Sequence, residues 1–437
     1  MHVLAKRAPM NPQPTRRDIL VGGTRAFVAG ACLNHPLAAA ANTACPTPDY
    51  RAVVFVSLEG GNDSFNMVVQ NGAGYARYAT ARGAALAIPQ TALRPAFATA
   101  DLHPEFAGLA PRHNRLAVIA NCGPLVQPTT KADYLANRVP LPAQLFSHSD
   151  QARLWQSAAA DALFDAPGIG TLLANALASQ NSIPELTAVT LAGQSRLLGN
   201  AFAITPTGPV TLYGTWAGDG ARRRATLDAL VDLTPANAMV AAASARLRLA
   251  LDLAGSVDQA WRATANPVFP SSDLGSQLRG VARMVACRQA LGMQRQVFFV
   301  RHGGYDTHED FNLVRHTDRM RQIDQALVAF DDAMVAQAAD VVVCVFSEFG
   351  RTVRSNGHGA DHGWGGHQLL FGRPVRGGIY GTLPDLTLGG PDDVGGGRIL
   401  PTTGTEQLGA TLATWLGAPT SLFPNVGRFA TANLGCL

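Results

Sequence analysis

Several familiar features are missing from this 437-residue sequence, and each absence narrows what it can be. Charged residues make up only 15% of it against 47% hydrophobic, which fits a globular protein and excludes extended disorder beyond the front. No apolar run is long enough for a spanning helix, since the stretch from Leu20 to Leu37 is interrupted by Arg25 and by glycines. No internal repeat and no linker divide the chain. Cysteine and histidine do not cluster at zinc-finger spacing, and there is no Gly-x-Ser-x-Gly elbow.

What the front does contain is a targeting pattern. Thr15-Arg16-Arg17-Asp18-Ile19-Leu20 is followed by the apolar stretch and by an Ala-x-Ala end at Ala39 to Ala41. This order predicts a leader over residues 1–41 and export by the twin-arginine translocase to the periplasm or the exterior. A lipoprotein cut before Cys32 fits less well. The leader holds five Lys/Arg against one Asp and so accounts for the formal net charge of +4, leaving the mature chain near neutral. That balance gives no sign of a nucleic-acid or anionic-membrane footprint. Five cysteines stay in the mature chain in an oxidising compartment, and their odd number leaves at least one free; Cys45 and Cys436, near its two ends, are candidates for a bridge.

The informative pattern is an apolar run that flips at once to polar groups, and it occurs three times. Ala52 to Leu58 ends in Glu59-Gly-Gly-Asn-Asp63. Gln296 to Val300 ends in Arg301-His-Gly-Gly-Tyr-Asp306-Thr-His308. Val341 to Phe346 ends in Ser347-Glu348-Phe349-Gly350-Arg351, with Asp361, His362 and His367 in the glycine-rich loop beyond. Short β-branched runs suit strands buried on both faces. In a parallel sheet their carboxyl ends would meet at one crevice, where open α/β folds bind ligands. Leu116 to Ala120 and Thr187 to Leu191 are further strands, and Leu313 to Ala336 is an amphipathic crossover helix. Residues 42–437 therefore read as a single α/β domain, a mainly parallel sheet sandwiched between helix layers, with a helical insertion at about 221–290.

Asp63, Asp306, His308, Glu348, Asp361, His362 and His367 form a carboxylate and imidazole set suited to zinc or manganese rather than calcium. Ser147, at the start of a helix beginning near His148, is placed as a nucleophile would be, although Ser at that position is also an ordinary helix cap. A metal-free triad of Ser147, His148 and Asp150 is disfavoured, because adjacent residues seldom meet triad geometry.

Gly60-Gly61-Asn62-Asp63, Phe146-Ser147-His148, Gly304-Tyr305-Asp306-Thr307-His308, Ser347-Glu348-Phe349-Gly350-Arg351-Thr352, Gly359-Ala360-Asp361-His362-Gly363 and Gly377-Gly378-Ile379-Tyr380-Gly381 together resemble the twin-arginine-exported domain-of-unknown-function family 1501. That family looks like a branch of the alkaline phosphatase and sulfatase superfamily. The resemblance implies an alkaline phosphatase-like fold with one or two divalent ions bound by Asp63, Asp306, His308, Glu348, Asp361 and His362. It implies Ser147 as the nucleophile and Arg351 as an anion clamp. Glu348-Phe349 stands where the superfamily usually has Asp-His, and Asp306 and His308 are closer in sequence than the usual pair. The implied activity is hydrolysis of phosphate or sulfate esters, small or polymeric. The alternative is a non-catalytic periplasmic binding or envelope-assembly protein that keeps the fold with a degenerate site.

Overall fold

The computed structural model describes residues 49–162, 166–210, 219–233, 237–310 and 313–437. The expected leader, Cys32 and Cys45 lie outside them. The three flip-patterned runs form the centre of the sheet. β1 (Arg51–Glu59) is buried on both faces from Ala52 to Leu58 and apolar there except for Ser57. The strands in the order of the chain that join it are β2 (Leu116–Gly123), β3 (Ala188–Thr190), β4 (Phe202–Thr205), β5 (Gly208–Pro209), β6 (Arg295–Gly303) and β7 (Asp340–Ser347). After a two-stranded ribbon, β8 (Arg351–Ser355) with β9 (Ala360–His362), come β10 (Gly366–Phe371), β11 (Gly378–Tyr380) and β12 (Thr403–Gly404).

The sheet runs β11, β2, β10, β7, β1, β6, β3, β4, β5, with β12 also on β2. β1 is parallel to β7 on one side and to β6 on the other. Leu58 pairs with both Ser347 and His302, so three strands expose their carboxyl ends at the same rim. β10 is antiparallel to both of its neighbours, which makes the sheet mixed but mostly parallel. Its apolar run reads the same in either direction, so the sequence carries no sign of this reversal.

Alternation along the strands divides the interior in two. Val54, Val56, Val343, Phe298 and Leu369 face one core, which is closed by α6 (Asp273–Ala286) and α7 (Val314–Ala336). Val53, Phe55, Val342, Phe299 and Leu370 face the other, closed by α2 (His148–Gln156), α3 (Ile169–Leu177) and α8 (Thr405–Leu416). Burying each such aliphatic or aromatic side chain contributes about 1.5–3 kcal/mol. The helix layers on both faces match the expected α/β sandwich. α1 (Ala73–Leu86) packs instead against β8 beside the ribbon.

Residues 221–290 contain α4 (Gly220–Val231), α5 (Ala238–Arg262) and α6. Asn237 caps α5 by accepting from the amides of Met239 and Val240. The first half of α5 is largely exposed, and its burial begins at Leu251. Ser272 caps α6 by accepting from Gly275 N. The described residues belong to one compact unit, Thr47–Leu437. Among them no helix is long and apolar enough to cross a membrane. Cys122, Cys287, Cys344 and Cys436 are free and buried, and burial pushes the thiols of Cys287 and Cys436 up to about 12 and about 11.

Candidate metal centre

The rim where β1, β6 and β7 end is drawn together by glycine and one arginine. Gly60 and Gly61 have φ of +118° and +79°, and a Cβ at Gly60 would collide with the Asp306 amide, one at Gly61 with the Phe349 ring. Only glycine lets the β1 turn lie flush against the loops after β6 and β7. Arg351, wholly buried, ties the three together. Its Nε donates to Gly61 O at 2.8 Å and its Nη1 to Ala360 O at 3.0 Å, while Nη2 donates to Gly60 O, to Tyr305 O at 3.2 Å and to Asp306 Oδ1 at 2.6 Å.

Four side chains converge on that frame: His148 from the first turn of α2, Asp306 and His308 from the loop after β6, and His362 at the end of β9. One ligand atom from each lies within 4.8 Å of all the others. Asp306 Oδ1 is 3.3 Å from His308 Nε2, 3.7 Å from His148 Nε2 and 4.0 Å from His362 Nε2. The Nε2 atoms of His308 and His362 are 2.8 Å apart. Phe349 packs beneath two of the rings, with centroids 4.9 Å from His148 and 4.7 Å from His362.

Each imidazole is tethered through its other nitrogen. His148 Nδ1 meets Glu348 Oε1 at 3.0 Å, His308 Nδ1 meets Asp361 Oδ1 at 3.1 Å, and His362 Nδ1 meets Phe146 O at 2.7 Å. Oxygen acceptors assign the proton to Nδ1 in all three rings, so each Nε2 presents a lone pair inward. This is the arrangement by which metal-binding histidines are oriented and made more basic. Glu348 is itself held by the Gly60 amide at 2.8 Å and by Ser347 Oγ at 3.1 Å.

Charge reinforces the arrangement. Burial pushes the Asp306 carboxyl up, but the hydrogen bond and charge of Arg351, with the nearby imidazoles, outweigh it and leave it below the usual carboxylate range. The hydrogen bond from Asn356, joined by His308, lowers Asp361. Burial lowers His362 despite its bond to Phe146 O, helped by the neighbouring His148, Arg351 and His308. Both acids are thus ionised and the His362 ring neutral near pH 7. Three imidazole nitrogens and one carboxylate make a donor set that fits zinc well and other borderline divalent ions less well.

Of the residues expected from sequence, Asp306, His308 and His362 come together at the centre, while Glu348 and Asp361 stand behind the rings as tethers. Asp63 is placed elsewhere: it is buried and ion-paired with the buried Arg82. His367 is also buried apart, its Nδ1 accepting from the Asn121 amide at 3.2 Å. Ser147 caps α2, with Oγ accepting from Asp150 N at 3.4 Å and donating to Asp150 Oδ2 at 2.9 Å. The anion-clamp expectation for Arg351 is corrected, because its guanidinium is enclosed by carbonyls and Asp306 and offers no face to an outside ligand. The Ser147, His148, Asp150 triad is likewise not formed, since both His148 nitrogens face Glu348 and Asp306 rather than Ser147.

His148 is the member of this cluster that is absent from the metal set expected from sequence. The available signal was its place in Phe146-Ser147-His148, directly after the cap position of a helix, where the first-turn side chain is held at the sheet rim.

The chain is similar to several solved structures. It resembles the C-terminal periplasmic domain of EcEptC from Escherichia coli in complex with Zn, at 9% identity over 74% of this chain and 73% of that one, with a TM-score of 0.32. It also resembles the lipoteichoic acid synthase LtaP from Listeria monocytogenes, at 10% identity over 84% and 72%, with a TM-score of 0.33. The phosphonate monoester hydrolase SpPMH from Silicibacter pomeroyi gives 8% identity over 84% and 73%, with a TM-score of 0.34. No curated protein matches the chain. Residues 50–394 match the family described as "Protein of unknown function (DUF1501)", and the chain belongs to that family.

Proposed function

We propose that the protein is an exported hydrolase of phosphate or sulfate esters that works with one divalent ion, zinc by preference, held by His148, Asp306, His308 and His362. The carrying observation is the pair of inward Nε2 lone pairs 2.8 Å apart beside an ionised carboxylate, a cluster that repels itself until a cation occupies it. The ion would polarise the ester oxygens and offset charge developing on the leaving oxygen.

The chain's own groups do the rest. Arg351 fixes Asp306, and Glu348, Asp361 and the Phe146 carbonyl fix the three rings. Ser147 is the proposed nucleophile: its Oγ–H is held by Asp150 Oδ2, a carboxylate in place to take the proton, and the dipole at the start of α2 favours negative charge there. The twin-arginine pattern supports export, and the near-neutral mature chain supports a small-molecule or polymer ester rather than nucleic acid.

A second reading, a non-catalytic envelope protein, is favoured by two details: Arg351 is enclosed, and Ser147 is engaged in capping. Metal analysis of the mature protein followed by a panel of phospho- and sulfo-esters with that metal restored separates the two. The hydrolase reading expects one ion per chain and ester turnover that is lost in His308→Ala. A fully loaded protein that turns over no ester supports the binding reading instead.

A further inference from the structure

Beside the metal centre an open cleft of about 400 Å³ runs between the end of β1 and α2. His148 and Glu348, already part of the centre, line it together with Glu59, Ser149, Gln156 and Phe346, and among the described residues no Lys or Arg lines it. Because His148 and Glu348 belong to both, an ester held at the centre would have this cleft within reach.

The two carboxylates differ in how they are engaged. Glu348 gives its oxygens to Gly60 N, His148 Nδ1 and Ser347 Oγ. Glu59, the last residue of β1, has no side-chain hydrogen-bond donor among the described residues. Its ion partner Arg301 stands 4.0 Å away, and both side chains are about half exposed, 56% for Arg301 and 49% for Glu59, a contact worth little in water. Burial, with the nearby Glu348 adding to it against Arg301, raises the Glu59 carboxyl above its ordinary value. A half-exposed carboxylate at the mouth of the cleft, weakly paired and without a hydrogen-bond donor among the described residues, is open to a cation brought by a ligand, and it repels an anion.

We propose that the cleft receives the alcohol half of the ester and that this half carries an ammonium group paired with Glu59. The assignment rests on the hydrolase reading for the location of the ester, but its own content is the charge selectivity of Glu59.

Three phosphomonoesters whose alcohols carry positive, no and negative charge test it: phosphocholine, glycerol phosphate and 3-phosphoglycerate. Both turnover and calorimetric binding are measured on the metal-loaded protein. The expected order is phosphocholine, then glycerol phosphate, then 3-phosphoglycerate, with about tenfold or more between the extremes. Glu59→Gln collapses that ratio towards one at unchanged metal content, and Glu59→Asp recovers part of it. Equal binding of the three esters, a preference for the anionic one, or a ratio that Glu59→Gln leaves unmoved overturns the proposal. If none turns over while binding keeps the predicted order and its dependence on Glu59, the hydrolase reading falls and the cleft assignment stands.

Discussion

His308 Nε2 and His362 Nε2 face each other at 2.8 Å with their Nδ1 protons committed to Asp361 and Phe146 O. As neutral rings neither can donate to the other without giving up its tether, so a cation shared by the two is the stable outcome. One divalent ion per chain is expected, and His308→Ala removes it. Glu348→Gln, which leaves His148 in place but weakens its tether, lowers metal affinity about 10–100-fold, read by competition with a chelator. Wild-type affinity in Glu348→Gln would contradict the assignment of His148 as a ligand.

Ser147 has two separable roles. Ser147→Ala loses the cap of α2 and costs about 1 kcal/mol in denaturant unfolding, whereas Ser147→Asn keeps a cap of equal strength. If Ser147 is the nucleophile, both variants lose ester turnover. Turnover that survives in the Asn variant reduces Ser147 to a cap.

Removing Arg351 leaves four carbonyls, those of Gly60, Gly61, Tyr305 and Ala360, without their donor, and frees Asp306. Asp306 is half exposed, so the ion pair itself adds little and the buried hydrogen bonds dominate. Arg351→Ala is expected to destabilise the fold by about 3–5 kcal/mol. Arg351→Lys recovers only a fraction, because an ammonium cannot reproduce the planar fork. A loss below about 1 kcal/mol in urea unfolding would refute the bridging role.

His367 makes stability depend on pH. Burial lowers its folded pKa to about 4, whereas the unfolded chain takes the proton near 6.5. The unfolded state therefore binds more protons between these values. The contribution is complete above about pH 6.5 and is lost as the pH falls towards about 4, at up to about 1.4 kcal/mol per pH unit. Unfolding measured across that window should show a shallower slope in His367→Gln than in the wild type. Equal slopes would mean that His367 protonates in the folded protein as readily as in the unfolded one.

The frame of the sheet is readable in the sequence because β1, β6 and β7 are β-branched runs that end abruptly in polar groups, a pattern that follows from burial on both faces. The direction of β10 is not, since Leu369 to Phe371 is symmetric in its hydropathy. At the centre, Asp306, His308 and His362 stand out by chemistry and by their place after strands. His148 does not, because its role depends on Glu348 reaching it across the rim from a distant strand end. Asp63 carries the same local signal as Asp306, yet its partner is Arg82 from α1, and no local pattern foretells a long-range ion pair. Two adjacent glycines at 60 and 61 signal a tight turn, but nothing local signals their closeness to Asp306 and Phe349.

The four clustered side chains at the centre come from three separate stretches of the chain, around residues 148, 306 and 362. Only the completed tertiary structure brings them together, so an ion taken up there acts as a clasp across the rim. Because it binds the folded state alone, it adds about 2.7 kcal/mol of thermodynamic resistance at a free concentration one hundred times its dissociation constant. The melting temperature should therefore climb with added metal, and stripping the ion should loosen the start of α2, the loop after β6 and the β8–β9 ribbon together, as a single cooperative event.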